Sequence, residues 1–135
     1  MLVETKISDY LQEYDIEWAN ELPSSIPPED VLVPQQHVLY RMSKDEIIQE
    51  ADLTPFYFKD KEKYGKMLPC SSGLSVFDNE ESAKRKMKLP MLRCLSQITL
   101  SATDGVVVNS FSEHHYTWWR TKSFDKSTAV LISTL

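Results

Sequence analysis

The residues able to do chemistry concentrate in one stretch, Ser110–Arg120, which reads Ser-Phe-Ser-Glu-His-His-Tyr-Thr-Trp-Trp-Arg. It holds two of the chain's three histidines, two of its three tryptophans, a glutamate and an arginine. A histidine near its ordinary pKa can serve as general base or hydrogen-bond donor, and an indole can stack on a planar ring. Strand alternation over the stretch sends Glu113, His115 and Thr117 to one face and His114, Tyr116 and Trp118 to the other. The adjacent histidines therefore need not act together. Each residue also has a plainer use, since an indole can pack in the core and a histidine can simply satisfy a hydrogen bond. No metal is expected: neighbouring histidines on a strand cannot share an ion, helical His-x3-His spacing is absent, and Cys70 and Cys94 make no zinc-type spacing. Both cysteines read as buried thiols. A nucleophile at Cys70 or Ser72 with a histidine is a further arrangement, with no elbow sequence around either residue.

The elements that must position these groups follow from periodicity and punctuation. Ile7, Tyr10, Leu11, Tyr14 and Trp18 recur at helical spacing with acids between them, which predicts an amphipathic acidic helix within residues 1–22. Four prolines then make residues 23–36 an extended connector, and residues 37–135 form the core. His37–Met42 alternates as a strand, with Val38, Tyr40 and Met42 on one face and His37, Leu39 and Arg41 on the other. Ser43-Lys-Asp-Glu46 reads as a capping box opening a helix from Lys44 to about Asp52. Residues 56–66 read as a loop or short helix with a solvated charge run. Gly73–Phe77 is a strand, and a helix follows from Asp78-Asn-Glu-Glu81, acidic at its start and basic at its end, with Ala83 and Met87 inward. From Leu92 the chain reads as strand, with Asp104-Gly105 as a hairpin signal and Ser127–Leu135 as a final, centrally paired strand. The fold class expected is a single α+β domain, a mostly antiparallel twisted sheet with about three helices.

The order of strand His37-Val-Leu-Tyr-Arg41, helix, Ser72-Gly-Leu-Ser-Val-Phe77 running into a helix with Ala83, and then hairpins with an aromatic-rich polar segment resembles a small ADP-ribosyltransferase-like domain over about residues 37–133. The resemblance implies NAD as cofactor, held by an Arg or His on the first core strand, a Ser on a middle strand and a Glu near the transferred ribose. Arg41 with His37, Ser72 or Ser75, and Glu113 match those positions. A cleft between Arg41 and Glu113–Trp119 would then set Glu113 and His115 as catalytic groups beside His114 and Trp118. The family's Ser-Thr-Ser and Glu-x-Glu signatures are absent, so ADP-ribosyl transfer, NAD hydrolysis and binding without catalysis all stay open. Read on its own chemistry, Arg41 beside His37 could hold a phosphate through guanidinium geometry or pair with a surface acid.

Charge points to a different class of function. Residues 1–62 carry 14 acids and 5 bases, and residues 63–135 carry 6 acids and 10 bases, within a total of 20 and 15. The acidic first half disfavours nucleic acid there, because phosphate contacts need Lys and Arg clusters. It suits a basic protein partner, docked through residues 1–22 with Trp18 as an anchor, in a small inhibitor- or immunity-type interaction module. The second half could accept an anion at Lys84–Lys88, although those cations also suit the end of a helix. With no signal peptide and no bilayer-length apolar run, the cytoplasm is the expected location and no membrane partner is expected.

Overall fold

The computed structural model describes all 135 residues and is organised by one eight-stranded antiparallel sheet. In chain order the strands are β1 (Leu2–Lys6), β2 (Asp30–Pro34), β3 (His37–Ser43), β4 (Leu74–Phe77), β5 (Cys94–Leu100), β6 (Gly105–Asn109), β7 (His115–Arg120) and β8 (Val130–Thr134). Across the sheet they run β1-β2-β6-β7-β4-β3-β5-β8. Four short α-helices accompany them: α1 (Ile7–Glu13), α2 (Phe56–Lys59), α3 (Lys61–Tyr64) and α4 (Glu80–Lys84). The class is α+β in a single domain, with helices that are many and brief.

The sheet must curl, and the reason is a short connection. β5 and β6 are separated by three other strands, which is about 19 Å across a flat sheet at ~4.8 Å per strand. Only Ser101–Asp104 joins them, and Ala102–Asp104 is a compact 3-10 turn. Curling brings the two ends within reach. It also closes Val107 of β6 and Ile98 and Leu100 of β5 into one buried cluster with Leu39, Leu74, Val76 and Trp118. Asp104-Gly105 is therefore not a hairpin turn, since β5 and β6 do not pair. Gly105 sits at φ 123°, and a Cβ there would lie 2.0 Å from the Trp119 carbonyl oxygen, so the corner needs glycine for conformation and space alike.

Strand alternation divides the apolar residues between the two faces. Inside the curl is the cluster just named. Outside are two smaller ones: Tyr10, Val31, Val33, Val106 and Trp119 towards the β1 end, and Met42, Phe77, Ala83 and Leu95 towards the β8 end. α4 covers the latter with Ala83, and Met87 packs on it from the turn beyond the helix, which ends at Lys84 and so is shorter than the charge order suggested. Asn79 caps the helix by accepting from the Ser82 N–H at 2.9 Å.

Several local expectations are corrected. Residues 1–22 are not one helix: β1 pairs β2 over five residues, α1 is seven residues long, and Trp18 lies in an extended segment bridged to Thr121. The connector at 23–36 contains β2, because Val31 and Val33 alternate into the core. No helix starts at Lys44. Ser43 is still in β3, buried and paired with Cys94, and its hydroxyl donates to the Asp45 carbonyl oxygen. The reciprocal cap forms later, between Gln49 and Asp52 around the 3-10 turn Glu50–Leu53. β8 is an edge strand paired with β5 alone, so its apolar run does not mark a central position.

Candidate functional site

β7 distributes the candidate stretch. Tyr116, Trp118 and Arg120 point into the curl, and His115, Thr117 and Trp119 point outward. Trp118 is fully buried, donates from Nε1 to the Asp104 carbonyl oxygen at 2.9 Å and meets Phe124 edge-on. It is a core residue and cannot stack on a ligand. Glu113 lies before the strand, exposed, in a loop whose carbonyls at Ser112, Glu113 and His115 all accept from the Asn109 side-chain amide.

Arg41 and His115, the charged and titrating groups of the expected cleft, lie on opposite faces of the sheet, and Trp118, which shares the face of Arg41, is enclosed in the core. Arg41 shares the inner face with Leu39. Its Nη1 donates to the Ser75 carbonyl oxygen at 2.7 Å and its Nη2 to the carbonyl oxygen of Asp52. Burial lowers its pKa to about 10. Arg120 grips the same turn, donating to the Glu50 carboxylate at 2.6 Å and to the Leu53 carbonyl oxygen at 3.3 Å. The two arginines thus pin residues 50–53, whose Leu53 packs into the inner cluster. Ser72 is likewise taken: its hydroxyl accepts from Trp119 Nε1 at 3.0 Å.

His115 faces outward, buried between Phe77 and Phe111, both edge-on at ring centroids of 5.1 and 5.2 Å. Its Nδ1 lies 3.0 Å from both the hydroxyl and the carbonyl oxygen of Ser110, and the Ser110 hydroxyl lies 2.8 Å from that of Thr117. Burial lowers the pKa of His115, which favours the neutral ring. With Nδ1–H given to the carbonyl, Nε2 remains an acceptor. Registered beside these groups on the same outer face are Tyr40, opposite Phe77, and the exposed Ser75, opposite Thr117. Phe111 overhangs them, 85% exposed and at φ 64°.

His114 belongs to another set. Its Nδ1 lies 2.8 Å from an Asp78 carboxylate oxygen at the inner rim. Burial and the neighbouring Asp78 carboxylate raise the pKa of Tyr116. His37 feels the same carboxylate, but burial and the N-terminal amine together lower its pKa. His114 is therefore paired with Asp78, apart from His115. Sequence reasoning missed Asp78 in this role because its place before α4 explained it as part of a helix start.

A further opening lies elsewhere, at residues 17–26. A cavity of about 520 Å3 is lined by Glu17, Trp18, Glu21, Leu22, Ile26 and Lys122, among others. Its wall is fixed from below: the Ala19 N–H donates to the Arg120 carbonyl oxygen at 3.0 Å, the Lys122 N–H to the Glu17 carbonyl oxygen at 2.8 Å, and the Tyr10 hydroxyl to the Ala102 carbonyl oxygen at 2.6 Å. Trp18 packs on the outer cluster near Tyr10, at 6.4 Å between rings, so it forms a floor and does not project as an anchor.

The fold and sites define a single α+β domain built on a curled antiparallel sheet. No family model, curated protein or solved structure matches the chain. None of its helices is long and apolar enough to cross a membrane.

Proposed function

We propose that this chain is an interaction module that binds a basic partner protein through the surface formed by α1 and residues 14–22. The carrying observation is the cavity at Trp18, which joins an apolar floor to an acidic rim of Glu17 and Glu21. That combination suits a lysine or arginine side chain, whose apolar stem and cationic head want both environments. The surrounding charge extends the match. Asp9, Glu13, Asp15 and Glu21 are exposed and take part in no ion pair, and Glu17 pairs only with Lys122. Titration calorimetry with an arginine-rich peptide tests this, with an acidic peptide of equal length as control. Binding that weakens with salt and is lost in Glu17→Gln/Glu21→Gln supports the reading. Absence of heat, or equal affinity in that variant, removes it.

A nucleotide-type ligand such as NAD is the second reading, favoured by one specific observation. Tyr40, Ser75, Thr117 and His115 occupy registered positions on one face of three adjacent strands, beneath the exposed ring of Phe111. On this reading Ser75 and the Nε2 of His115 supply polar contacts and Phe111 stacks on a base. Arg41 and Trp118 take no part, and the domain is a binding-only relative of the ADP-ribosyltransferase-like group. Calorimetry with NAD and with ADP-ribose decides it: heat that disappears in Ser75→Arg supports the site, and no heat at millimolar ligand rejects it.

A further inference from the structure

The two edges of the sheet are unequally protected. β1 carries Glu4 and Lys6, and Lys6 pairs with both Asp30 and Glu29 before the chain turns directly into α1. Charged residues of this kind discourage another strand from adding to an edge. β8 has no such guard: residues 127–135 contain no charged side chain, and Val130 and Leu131 are 57% and 38% exposed. The apolar surface continues past the strand. The Leu135 N–H donates to the Arg93 carbonyl oxygen at 2.8 Å, beside a tight loop closed by Lys88 and Leu92. That loop presents Leu89 and Met91 at 67% and 58% exposure.

We infer that β8 is an interaction edge whose occupant is the β8 strand of a second copy of this chain, added antiparallel about a two-fold axis. Self-complementarity selects this occupant. An uncharged strand meets its own copy without like-charge repulsion, and a two-fold pairing is closed, so it ends at a dimer. The same axis carries the Leu135, Leu89 and Met91 end of one copy to the exposed Val130 and Leu131 of the other. Burial of that apolar end enlarges a contact that five paired residues alone would leave small compared with a standard interface. The bulge of β8 opposite Leu95 and Ser96 interrupts its pairing with β5, so the association is expected to be weak and concentration-dependent.

Sedimentation equilibrium of the intact chain, from about 5 μM to about 500 μM, reads the outcome as mass rising from 15.6 kDa towards twice that value. Leu131→Lys, at an exposed position, should keep the fold and weaken association about tenfold or more by setting like charges across the axis. Thr5→Lys, on the other edge, should change nothing. Hydrogen exchange gives a second measure independent of any variant: amides of residues 130–134 should gain protection as concentration rises, and those of residues 2–6 should not. A single-chain mass throughout the range overturns the proposal. So does a dimer indifferent to Leu131→Lys, or one whose concentration-dependent protection falls on β1.

Discussion

Adjacent residues of β7 live in opposite worlds, and the contrast separates what holds this fold from what it can offer a partner. On the inner face, Trp118 is fully enclosed and its indole N–H is spent on a backbone carbonyl. Arg41, from β3, spends two guanidinium nitrogens the same way. On the outer face, His115 keeps an acceptor nitrogen free of the Ser110 bond, Ser75 is exposed, and Phe111 stands clear of the surface. The residue types with the greatest chemical repertoire, arginine and tryptophan, are those the structure uses for architecture. Of the smaller polar groups on the outer face, Ser75 is the one left to meet solvent, while Thr117 and His115 lie just beneath the surface.

Substitutions on the inner face should have the largest effect. Trp118→Ala removes a large ring from the main cluster and its edge-on contact with Phe124, and should cost about 3 to 5 kcal/mol in a urea titration. Arg41→Ala comes next. It strands the carbonyl oxygens of Ser75 and Asp52 in a part-buried setting, at about 1 to 3 kcal/mol for each acceptor left unpaired. A loss below about 0.5 kcal/mol for Arg41→Ala, the range of ordinary surface changes, would show that the guanidinium is free to serve a ligand, and the contrast between faces would fail.

The outer face should instead answer to pH. Burial depresses the pKa of His115 below its unfolded value, so the unfolded chain binds a proton more readily than the folded one. The stability linked to this group is therefore complete above the unfolded value, near pH 6.5, and falls as pH drops towards the lower folded value. Urea midpoints at about pH 7.5 and 5.5 should differ more in the parent chain than in His115→Gln, which cannot titrate. His37 is depressed as well, so His37→Gln should remove a separate part of the acid sensitivity. If both variants keep the full pH response, neither histidine is its source.

Much of the architecture was legible because it rests on local rules. β3, β4, the start of α4 within Asp78–Glu81 and the inward Ala83 and Met87 follow from alternation, capping and periodicity that need no tertiary information. What failed were features settled by distant contacts. The helical spacing from Ile7 to Trp18 is satisfied over seven residues and then broken, because Trp18 gains more by bridging to Thr121 and packing on Tyr10. Asp104-Gly105 carries a local hairpin signal, yet the curl of the sheet uses it as a corner between strands that never touch. The candidate stretch stands out in the sequence as a concentration of polar aromatic residues. Alternation divided its side chains between the two faces as expected, with Tyr116 and Trp118 inward and His115 and Thr117 outward, but nothing local says that Arg41 turns to the carbonyl oxygens of Ser75 and Asp52.

The smallest effects expected are at the tip of the loop before β7, where two substitutions distinguish display from support. Glu113 is exposed and its carboxylate forms no ion pair, so Glu113→Gln should change stability by less than about 0.5 kcal/mol. Phe111 is more informative. Its backbone holds a left-handed conformation at φ 64°, costing about 1 to 2 kcal/mol for a residue with a Cβ, and its ring is 85% exposed, recovering little beyond the edge contact with His115. The loop is nevertheless pinned by the Asn109 amide through three carbonyl oxygens, so the strain is imposed by its surroundings. Phe111→Gly should relieve that strain and raise stability by up to about 1 kcal/mol, while weakening whatever the outer face binds. A loss of stability of similar size would mean that the ring supports His115, and the outer face would then be as structural as the inner one.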